Sequence, residues 1–328
     1  MELQNIMREI YSGLIGDYYR DKAYLLKNKE TYKNHKYYSA IEPKINELLN
    51  DMEPIKKKVI REETKEEKIS RINYLYEGAL KYFDEKIFEK ARKQMEYIFG
   101  KYGEFFNKQK ENKKFSFADT IEMWLYISYY RPNKEVCLTE IDNSDFYRTY
   151  GKILFELDEY NEAIKSFKTS LEWDPVNVAT LINISEVYYE LKDNESFLEY
   201  IKMALEFATN KEDLAICYRY LGNYYLENEN YELSIALYSL SNSIIKSNTK
   251  EDENKIDDKM KFLENILGNK YKITPTELTS ILKANKINCG PSKIVVNTLK
   301  TLIKQSSANN ASEIEEYCTN KLISLLAC

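Results

Sequence analysis

The feature that most constrains this chain is internal self-similarity. From Asn143 to Leu157, Tyr147, Tyr150-Gly151 and Leu154 recur at spacings of three and four, the period of one helix face. Asp158-Glu159-Tyr160-Asn161 interrupts the pattern. A second helical face follows with Ala163, Phe167, Ser170 and Leu171, and Asp174-Pro175 ends it, because proline neither continues a helix nor tolerates one at the residue before it. Roughly 34 residues later the same order returns: Leu181, Ile184-Ser185 and Tyr188, then Phe197, Ile201 and Ala204. After roughly 37 more come Tyr218, Leu221-Gly222 and Tyr225, then Tyr231, Ser234, Tyr238 and Ser241, with the extra residues expected in a loop around Thr209 to Asp213. A chain that repeats one helical hairpin at this period buries each hairpin against its neighbours.

This order of residues resembles the tetratricopeptide repeat (TPR), in which a bulky residue, Leu-Gly and a Tyr precede Ala, Phe, Ala and Pro at fixed offsets. The pattern has a packing logic. Small side chains at Gly151, Ser185 and Gly222 let two helices approach, and large ones opposite fill the space. Two departures stand out: Phe197 occupies a position where Ala is usual, and Pro175 alone marks a repeat end by proline. Both bear on the register of the second and third copies.

A fourth copy is expected upstream, with Leu75, Gly78-Ala79 and Tyr82, then Phe88, Ala91, Met95 and Ile98. Between it and the clear array, Trp124 to Tyr130 reads as a helix of a degenerate repeat, ended by Arg131-Pro132-Asn133. Residues 1–70 form an N-terminal helical region with two apolar stripes. Leu3, Ile6-Met7, Ile10, Leu14, Tyr18 and Leu25 make one; Ile45, Leu48-Leu49, Met52 and Ile55 make the other. The repeat array occupies 71–268 and closes with a helix carrying Ile256, Met260, Leu263 and Leu267, stopped at Gly268. Residues 269–328 read as a helical appendix. Thr274-Pro275-Thr276-Glu277 opens its first helix, Cys289-Gly290-Pro291-Ser292 is a turn, and two helices follow at about 291–305 and 311–326. The fold expected is therefore all-α: a TPR-like helical-hairpin solenoid with an N-terminal helical region and a C-terminal helical cap.

Composition agrees. Nine Gly and six Pro in 328 residues favour long helices with short connections over sandwiches or barrels. The 29 tyrosines suit helices whose packing faces lie close to water, although genome composition explains part of that number as well. Net charge is −5, spread over 48 basic and 53 acidic side chains, which does not describe a polyanion binder. Nothing reads as a membrane span or a secretory signal. The five cysteines (Cys137, Cys217, Cys289, Cys318 and Cys328) are odd in number and scattered without a Cys-x-x-Cys, pointing to reduced thiols and a cytoplasmic location.

Catalytic and metal-ligating signatures are missing. His35, the single histidine, lies in a polar stretch and reads as a solvated side chain. Glu62-Glu63 and Glu66-Glu67 belong to a charge-alternating run, Lys56 to Arg71, that reads as a solvated helix face. The expectation is a protein that is not an enzyme, uses no cofactor or metal, and binds a protein or peptide partner. Its oligomeric state is not legible.

What the resemblance implies about the site is more specific. In TPR proteins the first helix of each repeat lines a concave groove. The corresponding positions here are Arg148, Lys152 and Phe155; Ile182, Asn183, Glu186 and Tyr189; and Arg219, Asn223 and Leu226. Arginine forks bind carboxylates, and asparagine clamps a peptide backbone through both its donor and its acceptor. The set is similar to the carboxylate-binding TPRs that hold acidic chaperone tails. It departs from them at Ile216 and Tyr220, where that subfamily carries basic residues. The plain alternative is that these are ion-paired surface side chains, such as Arg148 with Asp145 or Glu156. A second resemblance, to Rap-type peptide-sensing bacterial regulators, rests on the N-terminal helices ahead of the repeats and on segments such as Lys36-Tyr37-Tyr38-Ser39 and Glu77 to Asp84; it implies a switch driven by a short peptide. A third reading is a nucleic-acid-associated adaptor through Lys270, Lys272, Lys283, Lys286, Lys293, Lys300 and Lys304. It is disfavoured because the stretch has no Arg and, for stacking, only Tyr271.

Overall fold

A computed structural model describes residues 2–52, 63–245, 250–268 and 273–327. Among these the chain is almost wholly helical, as expected, with sixteen α-helices and one two-residue strand pair. Ile55, residues 56–62 of the Lys56–Arg71 run, Lys270 to Lys272 and Cys328 lie outside the described residues. No helix among the described residues is long and apolar enough to cross a membrane. The helices divide into two compact units. One runs to Lys108 and takes in 156–158; the other holds 109–155 and the chain from 159 on.

In the first unit α1 (Glu2–Ser12), α2 (Tyr18–Thr31) and α3 (Tyr38–Asp51) close around Ile10, Leu25, Ile41 and Ile45, all fully buried. The α1–α2 turn is fixed by Asp21, whose carboxylate accepts from the backbone N–H of Ile15 at 3.0 Å and of Gly16 at 2.7 Å. His35 is half-buried between the rings of Tyr32 and Tyr37, with Glu2 at 3.8 Å, so it is more covered than a solvated histidine would be. Next come α4 (Lys65–Asp84) and α5 (Phe88–Glu111). Thr64 and Glu67 form a reciprocal capping box at the start of α4, which gives Glu67 a local role.

The hairpin turns share one geometry. A non-glycine residue stands in the left-handed region at Lys86, Asp158, Lys192 and Glu229, and the next N–H donates to the carbonyl five residues back: Ile87 to Tyr82, Glu159 to Leu154, Asp193 to Tyr188 and Asn230 to Tyr225, at 2.8–3.0 Å. This is the outer bond of a Schellman cap. It recurs at the turn between α4 and α5 and at the turns around 158, 192 and 229, so the upstream copy has the same turn as the three clear ones.

In the second unit α7 (Asn143–Glu156) pairs with α8 (Tyr160–Trp173), α9 (Val178–Glu190) with α10 (Asn194–Phe207), and α11 (Lys211–Glu227) with α12 (Tyr231–Ile244). The small-to-large rule is met atom by atom. A β-carbon placed on Gly151 would lie 2.6 Å from the Phe167 ring, and one on Gly222 would lie 3.1 Å from Tyr238, sixteen residues on in both cases. We expect Gly151→Ala to destabilise by about 1–3 kcal/mol through overpacking. Gly222→Ala should fall within about 1 kcal/mol of neutral, because the gain in helix propensity offsets a milder clash. Urea unfolding of the two variants side by side checks the contrast.

Two expectations need correction. The residues that lengthen the third copy are not in a loop: Asn210 caps α11, accepting from the Asp213 N–H at 2.7 Å, and with Glu212 and Asp213 in the first turn the helix simply starts earlier. The Trp124 region is not a repeat hairpin either. A single helix, α6 (Thr120–Tyr130), ends on Arg131 in the left-handed region. It lies between β1 (Lys114–Phe115) and β2 (Cys137–Leu138), which pair in parallel.

After the array, α13 (Lys250–Leu267) packs on α12 through Ile256 and Leu263 against Ile235 and Tyr238, and stops at Gly268, φ +110°. The last helices are α14 (Pro275–Ala284), α15 (Lys293–Ala308) and α16 (Ser312–Leu326). They share the array's core: α14 packs on α12, α15 on α10 and α6, and α16 on α15, with Leu282, Val295, Leu299, Leu302 and Cys318 buried. Polar bonds fix the seam. The Tyr218 hydroxyl donates to the Asn288 carbonyl at 2.7 Å and accepts from the Gly290 N–H at 3.0 Å, and Ser292 Oγ donates to the Glu206 carbonyl at 2.6 Å. The four described cysteines are unpaired.

Candidate functional site

The residues expected to line a groove all lie on α7, α9 and α11, within the second unit. Nine of the ten fall into three equivalent rows, with Asn183 outside them, and the structure treats each row differently.

The first row is Arg148, Ile182 and Arg219. Arg148 is half-buried and ion-paired with Asp145, one turn earlier; Asp142 sits beside them, its carboxyl pushed up by burial and only partly brought back by the Arg148 charge. Ile182 is 7 % exposed and belongs to the core. Arg219 donates to the Ile245 carbonyl at 2.9 Å, at the end of α12. In this row, then, the arginines serve internal carbonyl and carboxylate groups and the isoleucine is inside.

In the second row, Lys152, Glu186 and Asn223, the last two reach from their own helix to the next. All three are half-buried. Glu186 on α9 accepts from the Tyr220 hydroxyl on α11, and that phenol is pushed well up by burial and by the carboxylate. The Asn223 side-chain oxygen accepts from the Tyr238 hydroxyl on α12 and the Lys259 ammonium on α13. Burial lowers Lys259, with Glu227 partly opposing.

In the third row, Phe155 packs on Tyr160 with ring centroids 5.6 Å apart, and Leu226 joins the cluster made by α12 and α13. Tyr189 links two helices. Its ring meets Phe197 at 5.5 Å and Tyr220 at 6.5 Å, and its hydroxyl donates to Glu227 on α11, where Lys192 also binds at 3.3 Å. Burial first, and Glu227 second, push the Tyr189 phenol up.

Asn183 differs from all of these. It is half-buried on α9, and its side-chain oxygen is enclosed yet meets no donor among the described residues. A buried amide oxygen left without a donor costs about 1–3 kcal/mol, so the side chain gains a hydrogen bond if it turns outward to a donor. The structure thus brings Glu186, Tyr189 and Asn223 together with Tyr220, Glu227, Lys192 and Lys259. Those last four were not among the groove residues expected from sequence. No repeat offset marks them: Tyr220 stands three residues before Asn223, the counterpart of Glu186, and Glu227 stands next to Leu226, the counterpart of Tyr189.

The lysines named for a nucleic-acid role divide the same way. Lys283, Lys286, Lys293, Lys300 and Lys304 are exposed, while Lys270 and Lys272 lie outside the described residues. Glu277, the acid of that stretch, closes a capping box with Thr274.

Successive helical hairpins that share one turn and one small-to-large contact define a helical-repeat architecture. Residues 145–177, spanning α7, α8 and the turn that follows, match the model of the tetratricopeptide repeat.

Proposed function

We propose that this chain is a binding scaffold whose α7–α9–α11 face holds an extended segment of a protein partner or a peptide. The role is binding, not catalysis. The observation that carries the reading is Asn183: a half-buried amide whose oxygen has no donor, on the first helix of a repeat, one turn before Glu186, whose carboxylate meets Tyr220. Turned outward, the amide takes an N–H from an extended peptide and donates back to a peptide carbonyl. The ion pair of Arg148 with Asp145 and the bond of Arg219 to the Ile245 carbonyl count against a site built on free arginine forks, so the ligand's backbone, rather than an acidic tail, is the recognised feature.

The test is selection from a displayed random-peptide library with the whole protein, followed by anisotropy titration of the selected peptides. Asn183→Ala should weaken them by about tenfold, the loss of one enclosed hydrogen bond. An exposed change on α16, Ile323→Ala, should leave them unaltered. Peptides held equally by wild type and Asn183→Ala would defeat this assignment of the face. Scattering with and without the selected peptide separates a rigid scaffold from the switched regulator: the regulator's radius of gyration changes on binding.

A further inference from the structure

The first unit carries a second surface that the repeat face does not explain. A cleft of about 1170 Å³ opens between α1, α3 and the α4–α5 turn. That exceeds the roughly 300–1,000 Å³ of a small-molecule pocket. Its floor is apolar. Leu3, Met7 and Tyr11 stand at four-residue intervals along α1, so they form one stripe, and Ile87 faces them from the α4–α5 turn. Tyr11 is 42 % and Ile87 36 % exposed. Meanwhile Ile10 on the same helix is fully buried against Leu25 and Ile41. Leu3 and Met7 lean on the same core from one side and line the cleft from the other, so the open apolar surface is their outer flanks with Tyr11 and Ile87, and it is what a partner would cover.

The rim supplies the sign of that partner. Arg8, Lys44 and Lys90 line the cleft against one acid, Glu9, although the chain as a whole is acidic at −5. Lys44 is paired with Glu47 at 2.6 Å. Lys90 rests over the Tyr82 ring at 4.9 Å. Neither Lys90 nor Arg8 has a carboxylate partner among the described residues. A second copy of the chain would set cations against cations across a two-fold axis. A helix with an apolar stripe and acidic flanks fits both the floor and the rim.

We propose that this cleft receives the apolar face of an acidic amphipathic helix from a partner protein, and that it is an interaction site separate from the repeat face. The probe is a labelled peptide of about sixteen residues, with leucines at i, i+3, i+4 and i+7 spacing and glutamates elsewhere, titrated against the whole protein by anisotropy. Its counterpart with lysine for glutamate, and vesicles of phosphatidylcholine with phosphatidylserine, are run beside it. The acidic peptide should bind. Arg8→Glu combined with Lys90→Glu should weaken it by about tenfold or more, Tyr11→Ala should weaken it with its salt dependence unchanged, and the lysine peptide should bind at least about tenfold less tightly. Tyr11 and Arg8 are exposed, and circular dichroism verifies that the variants stay folded. Equal binding of the two peptides, indifference to charge reversal, absence of peptide binding, or binding to the anionic vesicles in preference to the peptide would each overturn the proposal.

Discussion

Replacing Phe197 with alanine, the residue usual at its position in the repeat, should destabilise the protein by about 3–5 kcal/mol. Changes toward a family's common residue generally stabilise, so the sign is diagnostic. In the third repeat the equivalent position is Ser234, whose hydroxyl donates to the Gly222 carbonyl at 2.8 Å, and in the first it is Ala163; both are fully buried in a close helix–helix approach. Phe197 is fully buried too, but its ring extends between two helices, 5.5 Å from Tyr189 and 5.4 Å from Tyr224. Removing it empties a space walled by rings that cannot all move inward. Ser234→Ala, which removes one hydroxyl and no volume of consequence, should cost about 0.5–1.5 kcal/mol. Urea unfolding of the two variants, followed by both tyrosine fluorescence and circular dichroism, checks the contrast. A Phe197→Ala loss no larger than that of Ser234→Ala would mean that the site collapses freely and that the ring is incidental. The consequence reaches the proposed binding face, because Tyr189 rests on Phe197 and holds Glu227. Loosening Phe197 should therefore weaken any ligand held beside Asn183.

The repeat was legible in the sequence because its cause is local. Gly151 with Phe167 and Gly222 with Tyr238 are pairs at a fixed sixteen-residue offset within one hairpin, so the contact and the spacing are the same fact. The capping of α14 by Thr274 and Glu277 was legible for the same reason. What could not be read is what each face meets at long range. The apolar stripe Val295, Leu299 and Leu302 identifies a helix face but does not say that α10 and α6 lie against it. The groove rows show the limit most clearly. Offset alone places Ile182, Arg148 and Arg219 in one row, yet one is core, one is tied to Asp145 and one to the Ile245 carbonyl. Polar side chains settle on whatever partner the tertiary approach brings, and those partners come from the neighbouring helix or beyond. Asn183 was named from the family pattern; that its oxygen lacks a donor emerges only from the packed structure.

The largest pH effect should come from the junction of α6 with the end of α8. Asp174 is fully buried beneath Pro175; its carboxyl accepts from the Val176 N–H and the Asn177 amide, both at 3.2 Å, and it is hydrogen-bonded to Glu122. Glu122, largely buried, accepts from the Ala118 N–H at 2.7 Å, and Asp119 and Asp142 add negative charge nearby. Two carboxyl groups in contact share a proton: burial raises both above the usual carboxylate range, Glu122 raises Asp174 further, and Asp119 and Asp142 add to the rise at Glu122. The unfolded chain releases those protons near pH 4. With folded values raised, the pair's contribution is complete below the unfolded value and is lost as pH rises through the folded one. In Asp174→Asn the introduced amide donates to Glu122 and still accepts from Val176, with no proton to lose. The variant should match the wild type at about pH 4 and exceed it in stability by on the order of 1–3 kcal/mol at about pH 8. Glu122→Gln should show the same trend, and the double variant should gain less than the sum, since each change removes the same repulsion. Urea unfolding across that range is the measurement. Curves that run parallel for wild type and Asp174→Asn would show that the two carboxyls titrate independently and that the α6 junction holds by packing alone.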